Sequence, residues 1–227
     1  MPDASTLTAY LVVILGLAIT PGPNMIYLIS RSIAQGRMAG IVSLGGSALG
    51  FVVYMACAAF GITALLMAVP LAYDALRLAG AAYLMVLAWQ AVRPGGRLPF
   101  QGEALQSESF QVESRQIASL PGSGQGSGLG RVFAMGFVTT LLNPKAALLY
   151  LALLPQFVVP GHGSVLSQTL VLGLMHIALN VILGVLIAST AGALAAVLAR
   201  RPSWLLAQRW LMGSLLAAFS VKLVSEA

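Results

Sequence analysis

The sequence predicts an all-α integral membrane protein: six transmembrane helices as two inverted three-helix halves, with the first and fourth helices broken. Three observations predict it. Hydrophobic residues make up 59% of the 227 positions and charged residues only 8%, against roughly a quarter charged in ordinary soluble domains. The apolar residues come in long blocks, each near the roughly 20 residues a helix needs to cross a bilayer. Proline and asparagine interrupt the opening block of each half.

The six blocks, in order, are 7–30, 39–69, 71–92, 132–159, 166–198 and 204–224. Each is too long and too continuously apolar for a strand or a soluble amphipathic helix. The first is read as a retained helix and not a signal peptide, because its leader carries an acid, no Lys or Arg, and no Ala-x-Ala site comes after it. The second and fifth exceed the minimum span, so they should tilt, break or extend beyond the bilayer. On the second, Gly46, Gly50 and Tyr54 share a face with Ser43 and Ser47 beside it, and the Gly46–Gly50 spacing reads as close helix contact. Residues 93–130 are different in kind. They hold Glu103, Glu108, Glu113 and the run Pro121-Gly-Ser-Gly-Gln-Gly-Ser-Gly128, a flexible linker composition with no nucleotide-binding motif. One transmembrane domain thus divides into a half at 1–92, a cytoplasmic linker at 93–130 and a half at 131–227.

The net charge of +6 does not point to nucleic acid. The basic residues sit singly or in pairs at block ends, where topology explains them. Arg31 and Arg37 come after the first block. Arg93, Arg97, Arg115 and Arg131 lie in or beside the linker, and Arg200, Arg201 and Arg209 flank the last connection. With six spans these share one side, which the positive-inside rule makes cytoplasmic, so both termini face out of the inner membrane. Trp89, Trp204 and Trp210 then fall at the inner aromatic belt, and Tyr10 and Tyr73 near the outer one.

The breaks carry the functional expectation. Gly16-Leu-Ala-Ile-Thr20-Pro21-Gly22-Pro23-Asn24 can be laid over Gly136-Phe-Val-Thr-Thr140-Leu-Leu-Asn143-Pro144. Proline removes a backbone donor and clashes with the preceding turn, and the freed groups must face protein or a polar cavity. Paired breaks in inverted halves point to a transporter binding site. Thr20, Pro21, Gly22, Pro23, Asn24, Asn143, Pro144 and Lys145 are therefore the substrate-binding or gating residues. Lys145 lies near the middle of its block, where a cation attracts a carboxylate or holds an opened carbonyl of the first helix. Asn24 and Asn143 can bridge the breaks or bind the charged ends of a cargo. His176 and Asn180 lie four apart on one face with Gly173 and Gly184. His176 reads as a proton carrier or a neutral interface histidine. Tyr54, with Tyr27, Tyr83 and Tyr150, lines a pathway or serves packing.

At these residues the sequence resembles the LysE/RhtB family (lysine exporter, homoserine/threonine exporter). The motifs are Thr20-Pro-Gly-Pro-Asn24, Leu142-Asn-Pro-Lys-Ala146, Leu154-Pro-Gln-Phe157 and Gly80-Ala-Ala-Tyr-Leu84. The resemblance implies an inner-membrane exporter of amino acids and related metabolites, driven by the proton motive force and homo-oligomeric. Within the family, cargo ranges over basic amino acids, threonine, homoserine and cysteine-type compounds.

The alternative is a metal-ion or other small-solute transporter of similar architecture. Such proteins need clustered ligands, whereas His162 and His176 lie apart and Cys57 stands alone. An intramembrane enzyme would need a nucleophile with its base or a metal pair, and no such motif stands within the spans. Neither a cofactor nor a resident metal is expected.

Overall fold

The structure, a computed structural model, describes residues 2–20, 22–68, 128–159 and 161–200, with single positions between 75 and 90 and between 210 and 217. Every element among the described residues is helical. The third and sixth blocks, 71–92 and 204–224, fall largely outside them, as do linker residues 93–127 and Pro21.

Helix α1 spans Ala4–Ile19, three residues earlier than its apolar block, because Asp3 caps it. The Asp3 carboxylate accepts from the Thr6 amide at 2.7 Å and the Ser5 hydroxyl at 3.1 Å. Its hydrogen bonds with Thr6 hold the carboxyl below the ordinary aspartate range. The helix stops at Thr20, whose backbone is extended (φ −71°, ψ 118°), as expected of a residue that precedes proline. After the break α2 runs Pro23–Gln35 with Pro23 in its first turn, where a missing N–H costs nothing. The two axes diverge by 53°.

Gly36 (φ 86°) is the entire connection from α2 to α3, Arg37–Ala68. A side chain would be strained at that positive φ, so glycine permits so sharp a reversal. Helix α4, Leu129–Leu141, lies along α3 at backbone distance: a Cβ on Gly46 would strike the Phe133 carbonyl, and one on Gly136 the Ser43 carbonyl. The close contact expected of Gly46 and Gly50 is made here, Gly50 resting on Thr140.

The second break repeats the logic of the first. Asn143 is extended (φ −79°, ψ 111°), and α5 starts at Pro144 with a bend of 51°. Helix α5 is α-helical over Pro144–Leu148, widens into a π turn at Leu149–Leu153 and tightens to 3-10 at Leu154–Phe157. Pro155 accounts for this. Its ring cannot sit over the carbonyl four residues back, and the wider turn moves that carbonyl aside. Gly161 (φ 91°) and Gly163 (φ 105°) shape the turn into α6, Val165–Arg200. Gln168 of α6 ties that turn down with both halves of its amide. Its Oε1 accepts from the Val159 N–H at 3.1 Å, and its Nε2 donates to the Val159 carbonyl at 3.0 Å.

The core gathers Tyr10, Ile14 and Leu17 of α1, Phe51 and Met55 of α3, Tyr150, Leu153 and Phe157 of α5, and Leu172 of α6. Large apolar side chains also face outward, including Val12, Phe60, Leu151, Leu174, Ile182 and Trp89. Apolar surface on that scale suits lipid and not water. Among the described residues, Arg37–Ala64 and Val165–Thr190 are each long and apolar enough to cross a membrane. Counting each bent pair as one span raises the number to four.

Candidate functional site

The breaks meet each other. A helix end leaves carbonyls without partners, and at the end of α1 one of these belongs to Thr20. Lys145, in the first turn of α5, reaches it with its ammonium (Nζ to O, 2.7 Å). Gly22 lies against the lysine stem, since a Cβ there would stand 3.4 Å from Cδ and 3.7 Å from Nζ. A second bond joins the breaks: the Asn24 amide donates to Thr140 Oγ1 at 2.9 Å.

The two threonines do the same local work. Thr20 Oγ1 donates to the Gly16 carbonyl at 3.1 Å, and Thr140 Oγ1 to the Gly136 carbonyl at 3.0 Å. Each occupies a carbonyl in the last turn before a break, so the Gly-xxx-Thr likeness is a shared hydrogen bond. Asn143 does not cross between the breaks. Its side chain accepts from the Lys145 amide at 3.0 Å, which caps α5 in the manner usual for asparagine. Tyr54 donates to the Leu141 carbonyl at 2.8 Å, covering the end of α4.

Beside the breaks is a cavity of about 80 Å³ whose lining includes Gly22, Asn24, Asn143, Lys145, His176 and Asn180. Roughly 10–15 Å³ of such space admits one water, so a small solute's polar end fits. Asn24 has more to offer there: its Oδ1 is buried and has no hydrogen-bond partner. His176 meets the Tyr150 hydroxyl at 3.0 Å through Nδ1, with Phe51 edge-on at 4.9 Å between ring centroids. Tyr150 in turn stacks on Tyr54 (5.7 Å, 10° between planes). Asn180 donates to the His176 carbonyl at 3.0 Å. Asp3, the one acidic residue among the described residues, is engaged with Ser5 and Thr6.

The LysE type translocator family matches this chain over residues 15–227. The chain belongs to that family. Among curated relatives, the homoserine/homoserine lactone efflux proteins of Salmonella typhimurium and Salmonella typhi are each 29% identical over 174 residues, covering 77% of this chain and 74% of theirs. An uncharacterized membrane protein of Pseudomonas aeruginosa is 29% identical over 154 residues, 68% of this chain and 64% of its own length. No solved structure matches.

Of the residues singled out in this LysE type translocator, Gly22, Asn24, Asn143, Lys145, His176 and Asn180 share the cavity lining. Thr20 touches it through the Lys145 bond, whereas Pro23 and Pro144 set the breaks from the first turns of α2 and α5. Tyr54 acts behind the cavity, on Leu141 and Tyr150. Sequence reasoning did not assign Thr140 to Asn24 or Tyr150 to His176. The shared Gly-xxx-Thr spacing was the available signal for Thr140, and neither pairing has a local signature.

Proposed function

We propose that this translocator is a secondary active exporter of amino acids or small amino-acid derivatives across the bacterial inner membrane, driven by the proton motive force. The observation that carries the reading is the Lys145 ammonium on the Thr20 carbonyl, at the junction of two broken helices and beside a polar cavity. A cargo carboxylate competes for that ammonium, because a charge-assisted pair outweighs a bond to a neutral carbonyl. The amide groups at the start of α2 favour the same anion. The released Thr20 carbonyl and the unpartnered Asn24 Oδ1 are acceptors for the cargo's own ammonium. In this reading the chain has six spans in two inverted halves joined by a cytoplasmic linker, both termini are periplasmic, and the protein assembles with copies of itself. The names of the Salmonella relatives make homoserine the first cargo to try.

The test is transport of labelled homoserine, threonine and lysine into inverted vesicles, with and without an imposed pH gradient. Gradient-dependent uptake of at least one is expected, slowed by about tenfold or more in Lys145→Ala and Asn24→Ala though both are inserted. Unchanged rates in both variants sink the site. His176, held by Tyr150 and lining the cavity beside Lys145, is assigned the proton. A pH profile of uptake that His176→Gln leaves unaltered removes that assignment.

A further inference from the structure

The seam between α2, α3 and α4 beside the cavity contains two buried polar groups whose presence packing does not explain. Tyr27 of α2 and Ser43 of α3 are 5% and 1% exposed, and neither the phenol nor the hydroxyl makes a well-formed hydrogen bond. The Tyr27 hydroxyl faces the Ser43 hydroxyl and the Arg31 side chain, close enough for weak polar contact with both, and the Arg31 guanidinium lies 5.2 Å above its ring. Unpaired buried polar groups are rare and ask for an explanation. Leu or Ala would close the same seam without that penalty.

These groups form a line. Asn24, Tyr27 and Arg31 stand at positions i, i+3 and i+7 of α2, one face of a helix. The line begins at the cavity, where Asn24 Oδ1 is a third unpartnered atom, and ends about 10 Å further along the axis at Arg31. Ser43 and Ser47 of α3 border it, Ser47 donating to the Gly136 carbonyl at 3.2 Å. Across it, α3 and α4 touch through glycines and backbone, Gly46 on Phe133 and Gly136 on Ser43. Apart from Ser47, Tyr54 and Thr140, which reach across it, the contact is between glycines and backbone, so parting the helices disturbs few side chains.

We infer that the seam between α2, α3 and α4 is the inner gate of the pathway, through which cargo travels from Arg31 past Tyr27 and Ser43 to the cavity. This rests on the exporter reading and its topology, which put Arg31, Arg37 and Arg131 on the cytoplasmic side. Arg31 draws in the cargo carboxylate. Tyr27 and Ser43 hydrogen-bond water or cargo when the seam is open, and they keep only weak contacts with each other and Arg31 when it is closed.

The test uses the full chain with Cys57→Ala, carrying Ser43→Cys, and a membrane-impermeant methanethiosulfonate reagent. Ala59→Cys, at a buried apolar site on the same helix, is the control. Labelling of Ser43→Cys is expected in inverted vesicles at least about tenfold faster than in right-side-out vesicles and than the control, as opening exposes it. Tyr27→Cys reads the same seam should Ser43→Cys fail to insert. Labelling no faster than the control, or faster from the outside, overturns the gate. If labelling succeeds while homoserine transport fails, the gate stands and the cargo class is wrong. If transport succeeds and labelling fails, the exporter reading survives without this gate.

Discussion

At residue 20 the chain leaves α1 with a carbonyl that no further turn of helix can use, while at residue 143 it enters α5 carrying its own cap. Both breaks begin with a threonine bonded to a glycine four residues back and both pass through an extended residue before proline. They differ at the residue that caps the next helix. Gly22 caps α2 with no side chain, whereas Asn143 caps α5 with its amide oxygen. The start of α2 therefore lacks the side-chain cap that α5 has. The carbonyl ends differ too, since α1 is completed by the Lys145 ammonium and α4 by the Tyr54 hydroxyl. Near-identical local chemistry thus yields one half that presents bare backbone and another that presents a movable charge.

Removing the movable charge should matter most. Lys145→Met strands the Thr20 carbonyl and takes away the cargo's counter-ion. A charged hydrogen bond is worth about 1.5–3 kcal/mol, so efflux per inserted molecule should fall by about 10- to 100-fold. A near-normal rate means that the first break needs no outside cation. Next in size is the Asn24–Thr140 bond. Asn24→Ala and Thr140→Val should each cost about tenfold, and the double variant no more than the worse single, because both delete one interaction. Additive losses would show two independent roles. Asn143→Ala should cost about 1 kcal/mol of stability, as lost caps do, read as earlier thermal unfolding in detergent and restored by Asn143→Asp. Thr20→Val should do least, within about 0.5 kcal/mol, since only a bond within α1 is lost. Should Thr20→Val instead halt efflux at normal stability, its hydroxyl touches cargo and the two threonines are not equivalent.

The breaks were legible because a proline acts on its immediate neighbours. Pro144 limits Asn143 and starts α5 whatever else surrounds it. The Asn-Pro pair could even have been read as cap plus first turn, which is the role Asn143 performs. The start of α1 at Asp3 was readable in the same way. What no local rule supplies is the partner. Lys145 finds Thr20 across 125 positions and Asn24 finds Thr140 across 116, and only the packing of one broken helix pair against the other decides such matches. Pro155 announced a disturbance in α5, but whether a helix relieves it by kinking or by widening into a π turn depends on its neighbours. The breaks of the first and fourth blocks are thus seen in the described residues, while the third and sixth blocks lie mostly beyond them.

The double bond between Gln168 and Val159 has a mechanical consequence. It fastens the 158–164 turn to the first turn of α6, so that end behaves as a fulcrum. Thirty-six residues of helix make a lever about 54 Å long, and tilting it by about 5° about the fastened end sweeps the other end through about 5 Å. Any given tilt would therefore displace the fastened rim least and the opposite one most.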